Sequence, residues 1–354
     1  MTEYNLNQIT KLYGGYWRYD FLDFHYLINE YFPPPILINI LKKELPQLVN
    51  HYPSTQKVIT NLLARWKKDE YFCAENLIIS NGSSELIRII NSIITKITIP
   101  IPTFNEYTVL PKNKMHLFPM SERDHFQLDI EALIRAIKKS KSEYTVINNP
   151  NNPVGNLTNK KDIEKILRTG TIAIIDEAFI DYAPHYSVED LVPKYQNLIV
   201  IKSLTKSFGV AGLRIGYLLT TNEYIKKMVR AALPIWNVNS LAERFIELFP
   251  KFKKEYQQAI QKTIREREFL FHALQNIDYL EPFPSQANFI FCKSKKDGRK
   301  IMKYLFNQHK ILIKGGLSQQ TLQSNFYLRL GVKTRKDNLK LIAALKNISK
   351  GYLI

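Results

Sequence analysis

The chain has 354 residues, 45% of them hydrophobic, enough for one large domain and one smaller one with real cores. Its net charge of +18 would draw anionic ligands or nucleic acid, but the basic residues are dispersed apart from short clusters at 251–254 and 293–296. No zinc spacing or aromatic-glycine RNA signature accompanies the charge, so no nucleic-acid partner is expected. Two cysteines, Cys73 and Cys292, stand far apart without metal-ligand spacing, which points to a reduced, cytoplasmic protein with no metal site.

The first residues, Met1-Thr2-Glu3-Tyr4-Asn5-Leu6, show no basic run ahead of an apolar one, so no signal peptide is expected. An irregular arm, 1–35, carries Tyr13-Gly14-Gly15 and ends on the Phe32-Pro33-Pro34-Pro35 stop. Helices are predicted at 36–45 and 54–68, the second opened by a Ser54/Thr55 cap. Alternation follows: strand 77–79, helix 84–95, strand 97–99, helix 104–110, helix 129–139, strand 144–147, helix 159–168, then strands 171–175, 198–202 and 215–219. Such alternation reads as a mainly parallel sheet in an α/β domain. The most apolar stretch, 86–102, is broken by Arg88, Asn91 and Lys96 and is too short and too polar to span a bilayer, so no membrane partner is expected. From 221 to 275 the pattern is helical, interrupted by Pro234 and Pro250. Strands near 288–292, 311–313 and 326–330, with helices at 297–308 and 335–348, read as a smaller α+β domain. The expected division is an arm at 1–35, a large domain at 36–240 and a small domain at 241–354.

Three polar residues stand at or just past the ends of apolar runs. Asn152 follows Tyr144-Thr145-Val146-Ile147, Asp176 closes Ile172-Ala173-Ile174-Ile175, and Lys206 follows Leu198-Ile199-Val200-Ile201 in the loop Ser203-Leu204-Thr205-Lys206-Ser207-Phe208-Gly209. Continuous apolar runs suit strands covered on both faces, and open α/β sheets bind ligands beyond the carboxyl ends of such strands. A lysine held there becomes a covalent partner when burial or a nearby cation lowers its pKa. Each residue also has a plainer reading. Lys206 could be a surface lysine among 50 Lys and Arg, Asp176 a helix cap, and Asn152 an Asn-Pro turn residue.

The motifs Asn81-Gly82-Ser83-Ser84-Glu85, Pro102-Thr103-Phe104-Asn105-Glu106-Tyr107, Asn151-Asn152-Pro153-Val154-Gly155, Asp176-Glu177-Ala178-Phe179 and Ser203-Leu204-Thr205-Lys206 with Arg214 occur in that order. With them the chain, from about Asp23 to its end, resembles fold-type I pyridoxal 5′-phosphate enzymes of the class I/II aminotransferase superfamily. That resemblance implies the PLP-transferase fold, a mainly parallel seven-stranded sheet in a large domain, with the arm joining the small one. It also implies the roles of individual residues. Lys206 would be joined covalently to the cofactor and, once freed, act as acid or base. Asp176 would pair with the pyridine nitrogen, Asn152 would donate to the 3′-oxygen, and Phe104 would stack on the ring. Gly82, Ser83, Ser84, Ser203 and Arg214 would form the phosphate cup. Tyr52 would reach the phosphate of the other subunit, so a homodimer with shared active sites is implied. Read without the resemblance, Ser83 and Ser84 are ordinary helix caps and Phe104 a core aromatic.

On the substrate side, the resemblance places an acid-binding group at Arg329, a second cation at Lys314, and substrate contacts at Asn29 and Tyr13. An arginine inside the apolar run Phe326-Tyr327-Leu328-Arg329-Leu330 is costly unless paired, which favours a site role. The sequence resembles two subgroups most: L-threonine-O-phosphate decarboxylases of the cobalamin pathway and histidinol-phosphate aminotransferases. The run Asp176 to Pro184, the stretch Trp236-Asn237-Val238-Asn239, and a Phe179 that cannot donate a hydrogen bond lean toward the decarboxylases. The expected reaction is decarboxylation of phosphothreonine or phosphoserine to an amino-alcohol phosphate for the cobalamin nucleotide loop. Alternatives are a transaminase using a 2-oxo acid and a non-catalytic PLP-fold binding protein.

Overall fold

The computed structural model describes residues 5–348 except 13, 318–321, 323 and 324. In chain order the helices are α1 Leu6–Lys11, α2 Pro35–Asn50, α3 Gln56–Ala64, α4 Ser83–Ile93, α5 Ile130–Ser140, α6 Lys160–Leu167, α7 Leu204–Ser207, α8 Glu223–Ala232, α9 Ser240–Leu248, α10 Lys253–Gln275, α11 Gly298–His309 and α12 Arg335–Lys346. The strands are β1 Leu22–Asp23, β2 Leu77–Asn81, β3 Ile97–Ile101, β4 Met115–Pro119, β5 Tyr144–Asn148, β6 Ile172–Asp176, β7 Leu198–Ser203, β8 Ile215–Leu219, β9 Leu280–Pro282, β10 Phe289–Ser294, β11 Ile311–Leu312, β12 Lys314–Gly315 and β13 Tyr327–Gly331.

The apolar runs expected to be covered on both faces are so covered. A seven-stranded sheet has the order β2-β8-β7-β6-β5-β3-β4, parallel except for β8, which runs against both β2 and β7. Successive residues divide between the two faces with the two-residue period of a strand. Ala173, Ile175, Leu198 and Val200 pack toward α2, α3, α5, α6 and α9, whereas Ile174, Ile199 and Ile201 pack toward α4 and α8. Burying a branched side chain of this kind contributes roughly 1.5–3 kcal/mol, so the two clusters fix the register of β5, β6 and β7. That register sets Asn148 beside Asp176 and Asp176 beside Ile201. The carboxyl ends of the three strands are therefore level, with Lys206 one turn beyond.

A second, antiparallel sheet, β12-β13-β10-β9, packs with α10, α11 and α12 around its own core of Leu270, Ile290, Leu328 and Leu341. The arm belongs with it, because β1 pairs with β11 and Ile9 and Tyr16 pack on Phe306 and Leu312. The arm then runs to the lysine loop, where Asn29 N donates to Lys206 O at 2.9 Å.

Several expectations are corrected. Helix α2 runs past Pro46 to Asn50, because Pro46 lies on an exposed face where the missing N–H breaks only one turn. Helix α3 is shorter than predicted and has no hydroxyl cap; Ser54 N donates instead to Glu243 Oε2 at 2.8 Å. The helix predicted at 104–110 is a single 3-10 turn, Asn105–Thr108, and the half-buried edge strand β4 escaped prediction for lack of an apolar run. The expected boundary at 240 falls too early. Phe245, Ile246 and Phe249 sit in the large core with Leu37 and Leu63, and Trp66 Nε1 donates to Ile246 O at 2.8 Å. Among the described residues, no helix is long and apolar enough to cross a membrane.

Candidate active site

A cavity of about 350 Å³ opens at the carboxyl ends of β5, β6 and β7, closed on one side by the arm and by β12 and β13. Lys206 is seated in it by α7, a single turn directly after β7. Burial, reinforced by Arg329 and Arg214 and opposed by Asp176, lowers its amine to about 8. An amine of that pKa is neutral often enough near neutral pH to attack a carbonyl.

Asp176 is buried at the end of β6 and fully engaged. Oδ2 accepts from Tyr107 OH at 2.9 Å and Asn148 Nδ2 at 3.2 Å, and Oδ1 accepts from Ala178 N at 3.0 Å. Burial raises its carboxyl to about 6 despite these donors and Lys206. A carboxylate kept this dry gains most from a cation placed against it.

Anion-binding groups gather at the start of α4. Gly82 precedes it with φ 78° and no side chain caps its first turn. The free amides and the helix dipole there favour an anion. Arg214, itself left-handed at φ 56°, donates from Nη2 to Ser84 Oγ at 3.3 Å. A Cβ on Gly82 would lie 2.5 Å from Arg214 Nη2, so the glycine makes room for the guanidinium. Ser203 Oγ and Thr205 Oγ1 lie 2.8 Å apart beside them. Among the described residues Arg214 has no carboxylate partner, which leaves its charge for a ligand.

The opposite wall comes from the small domain. Arg329 of β13 stands in register with Lys314 of β12. Its Nη1 donates to Asn152 Oδ1 at 2.7 Å and its Nη2 to His25 O at 2.9 Å, while its buried Nε has no partner. Burial lowers the Arg329 guanidinium to about 10, against the pull of Asp23; burial and then Arg329 lower the Lys314 amine to about 8. Neither cation forms an ion pair among the described residues.

Ser83, Ser84, Phe104, Asn152, Asp176, Ser203, Lys206, Arg214, Lys314 and Arg329 all meet at this one cavity, with Gly82 directly behind it. Asn29 does not. It is buried outside the cavity, where its Nδ2 donates to Ser207 O at 2.8 Å and its Oδ1 accepts from Tyr31 N and Thr263 Oγ1, so its hydrogen bonds brace the arm against the lysine loop. Tyr52 is 79% exposed, away from the cavity, and stacks on Trp236 at 4.4 Å. Tyr13 lies outside the described residues. The sequence reading missed His25, Tyr107, Asn148 and Thr205. Tyr107 and Thr205 lay inside motifs already singled out, but no spacing tells that a tyrosine 69 positions away meets Asp176.

Residues 28–345 match the family model described as aminotransferase class I and II. The chain belongs to that family. The class I/II chain is 29% identical over 351 residues to the CMP-5′-(3-aminopropyl)phosphonate synthase of Streptomyces rubellomurinus, a match covering 97% of this chain and 55% of the synthase. It is 29% identical over 359 residues to the L-serine phosphate decarboxylase of Sulfurospirillum multivorans, covering 93% of this chain and 88% of that protein. Among solved structures, the histidinol-phosphate aminotransferase of Clostridium acetobutylicum superposes with a TM-score of 0.83 at 27% identity, covering 92% of this chain and 98% of the other. The chain spans little more than half the length of the first curated relatives it matches.

The cofactor of this family member is pyridoxal 5′-phosphate, and the residues in place fit it. Asp176 offers a buried carboxylate for a protonated ring nitrogen, the glycine-cleared cup before Arg214 suits the phosphate, and Lys206 offers a weakly basic amine to the aldehyde. When bound, the cofactor supplies a ring that withdraws electrons from a bond at the substrate Cα. Asp176 would keep that ring protonated, Phe104 would cover one face, and Lys206 Nζ would carry a proton to or from Cα.

Proposed function

We propose that this class I/II enzyme decarboxylates an O-phosphorylated L-amino acid, phosphoserine or phosphothreonine, to the corresponding amino-alcohol phosphate. The observation that carries the reading is the Lys314–Arg329 pair, two cations side by side on adjacent strands and, among the described residues, without an ion-paired carboxylate. Two uncompensated charges suit a dianion better than a single carboxylate. Phosphorus-bearing amines in the names of two relatives, L-serine phosphate decarboxylase and CMP-5′-(3-aminopropyl)phosphonate synthase, support the same tail.

Lys314 and Arg329 would hold the phosphoryl group, which would leave the substrate carboxylate without a fixed partner and free to depart as carbon dioxide, its bonding electrons passing to the electron-withdrawing cofactor. Lys206 Nζ would then return a proton to Cα. Extra methylene on phosphothreonine changes binding by only ~1–3 kcal/mol, so both substrates fit one pocket. Tyr52, exposed and stacked beside Trp236, would reach the phosphate of a second subunit, making the working unit a homodimer.

The Asn152–Arg329 bond favours a second reading, transamination, because that pair could clamp a carboxylate in the ring plane. One assay separates the two. Purified holoenzyme given phosphoserine or phosphothreonine releases carbon dioxide with no 2-oxo acid present if it is the decarboxylase. Strict dependence on 2-oxoglutarate, with no carbon dioxide, overturns that assignment in favour of the transaminase.

A further inference from the structure

The arm contributes His25, Tyr26 and Leu27 to the cavity wall, and no motif marked His25. His25 lines the cavity beside Lys314 and Arg329, and its buried Nδ1 has no hydrogen-bond partner. The unpartnered Nε of Arg329 is buried in the same wall. Two orphaned polar atoms around one pair of cations mark a place built for something more than the protein's own groups.

We propose that His25 makes this subsite selective for a doubly charged tail: a phosphoryl or phosphonyl dianion seated on Lys314 and Arg329 bonds the His25 imidazole and draws a proton onto it from solvent. The inference rests on the reading of the cavity as a site for phosphorylated amino acids and names the residue that reads the charge of that tail.

The surroundings of His25 supply the physics. From β13 it faces the Arg329 guanidinium and from β12 the Lys314 ammonium. The Ile313 backbone faces the ring and favours its protonated form. Within the arm it meets the rings of Tyr16 and Tyr26, with centroids at 6.5 and 5.2 Å. Asp23 is turned to the backbone, accepting from the amides of His25 and Tyr26 at 2.8 and 3.1 Å, and Lys333 and Glu30 lie close to Asp23. Burial, then Arg329 and Lys314, depress the imidazole to about 3, so the ring is neutral unless an anion is bound beside it. A bound dianion cancels the two cations and makes a third positive charge favourable. A monoanion leaves the site net positive and the ring neutral. The proton balance is simple: one proton leaves solvent and binds the ring, and no covalent bond changes.

Sulfate is the probe, because it stays doubly charged at every working pH. At about pH 6, Lys314, lowered only to about 8, already carries its proton and adds nothing to the count. Sulfate is titrated calorimetrically into holoenzyme in two buffers of different ionisation enthalpy, with methanesulfonate as the monoanion. The expected result is proton uptake with sulfate, none with methanesulfonate, and loss of the uptake in His25→Gln. That variant should bind sulfate ~10–100-fold more weakly, the range for a lost hydrogen bond to a charged group. Its visible cofactor spectrum reports that the site is otherwise intact.

Equal proton uptake by His25→Gln, or equal sulfate affinity, overturns the proposal. If phosphorylated amino acids are not substrates but sulfate uptake still depends on His25, the functional reading falls and this one stands. If they are turned over with the same KM by His25→Gln, this one falls alone.

Discussion

Tyr107 OH donates to Asp176 Oδ2 at 2.9 Å, from a fully buried ring to a buried carboxylate at the edge of the cavity. The bond ties the 3-10 turn after β3 to the end of β6. It offsets part of the cost of keeping a carboxylate dry, so its value depends on the charge of Asp176. Tyr107→Phe should lower the stability of the cofactor-free protein by roughly 1.5–3 kcal/mol near pH 8, where Asp176 is ionised, and by less near pH 5, where it is protonated. Urea unfolding at the two pH values reads the difference.

Asp176→Asn tests the same site from the other side. The folded protein raises this carboxyl from its ordinary value of 3.8 to about 6. A raised acid favours folding below its unfolded pKa, and the benefit is lost as pH climbs through the folded one. Ionised Asp176 therefore costs the cofactor-free protein up to ~3 kcal/mol near pH 8. Asparagine removes that cost but leaves the Ala178 amide poorly matched, for a net gain of roughly 1–2 kcal/mol near pH 8 that disappears near pH 4. The variant should melt higher than the parent without cofactor, yet gain less on adding it.

Lys206 gives a pH signature of its own. Its amine, lowered to about 8, becomes neutral as pH rises through that value. Capture of the cofactor aldehyde by the cofactor-free protein should therefore accelerate up to about pH 8–9 and then level off, whereas an ordinary lysine keeps accelerating toward ~10.4. Stopped-flow absorbance follows the capture, and Lys206→Ala should abolish the visible band.

Gly82→Ala should injure the phosphate cup without unfolding the chain. The new Cβ would fall 2.5 Å from Arg214 Nη2, at a backbone φ of 78° that alanine rarely adopts. The guanidinium must move, and a strained residue of this kind costs ~1–3 kcal/mol. Cofactor affinity should drop ~10–100-fold, the loss of one charge-assisted hydrogen bond, with circular dichroism unchanged.

Behind the site, Lys202 is buried between Asp181 at 3.3 Å and Glu177 at 3.7 Å, and Asp181 also accepts from Ser207 Oγ at 2.5 Å. The two strand ends that carry Asp176 and Lys206 are joined through this lysine. Lys202→Met leaves the buried Glu177 and the part-buried Asp181 without their cation and should destabilise the protein by ~3–5 kcal/mol. Adding Asp181→Asn should restore part of that, as a double-mutant cycle in denaturant would show.

The residues that were legible in the sequence share a property: each is the end of a local pattern. Asp176 and Lys206 terminate or follow apolar strands, and Gly82-Ser83-Ser84 opens a helix, so their approximate positions follow from periodicity of two or 3.6 along a few residues. Tyr107, Asn148 and His25 carry no such mark. Their places depend on contacts between segments tens to hundreds of residues apart, and Asn29 shows the converse, a residue in the expected region whose side chain turns away to brace the lysine loop.

By itself, then, the order of apolar runs and turn motifs dictated an α/β sheet, its covered faces and the strand ends at which chemistry gathers, because burial of alternating side chains is a local demand that sequence writes directly. Only the folded chain decided which charges face one another. The pairing of β12 with β13 puts Lys314 beside Arg329, and the arm lays His25 against both. The strength of a charge depends on burial and on neighbours that arrive from elsewhere, and only the three-dimensional structure brings those together.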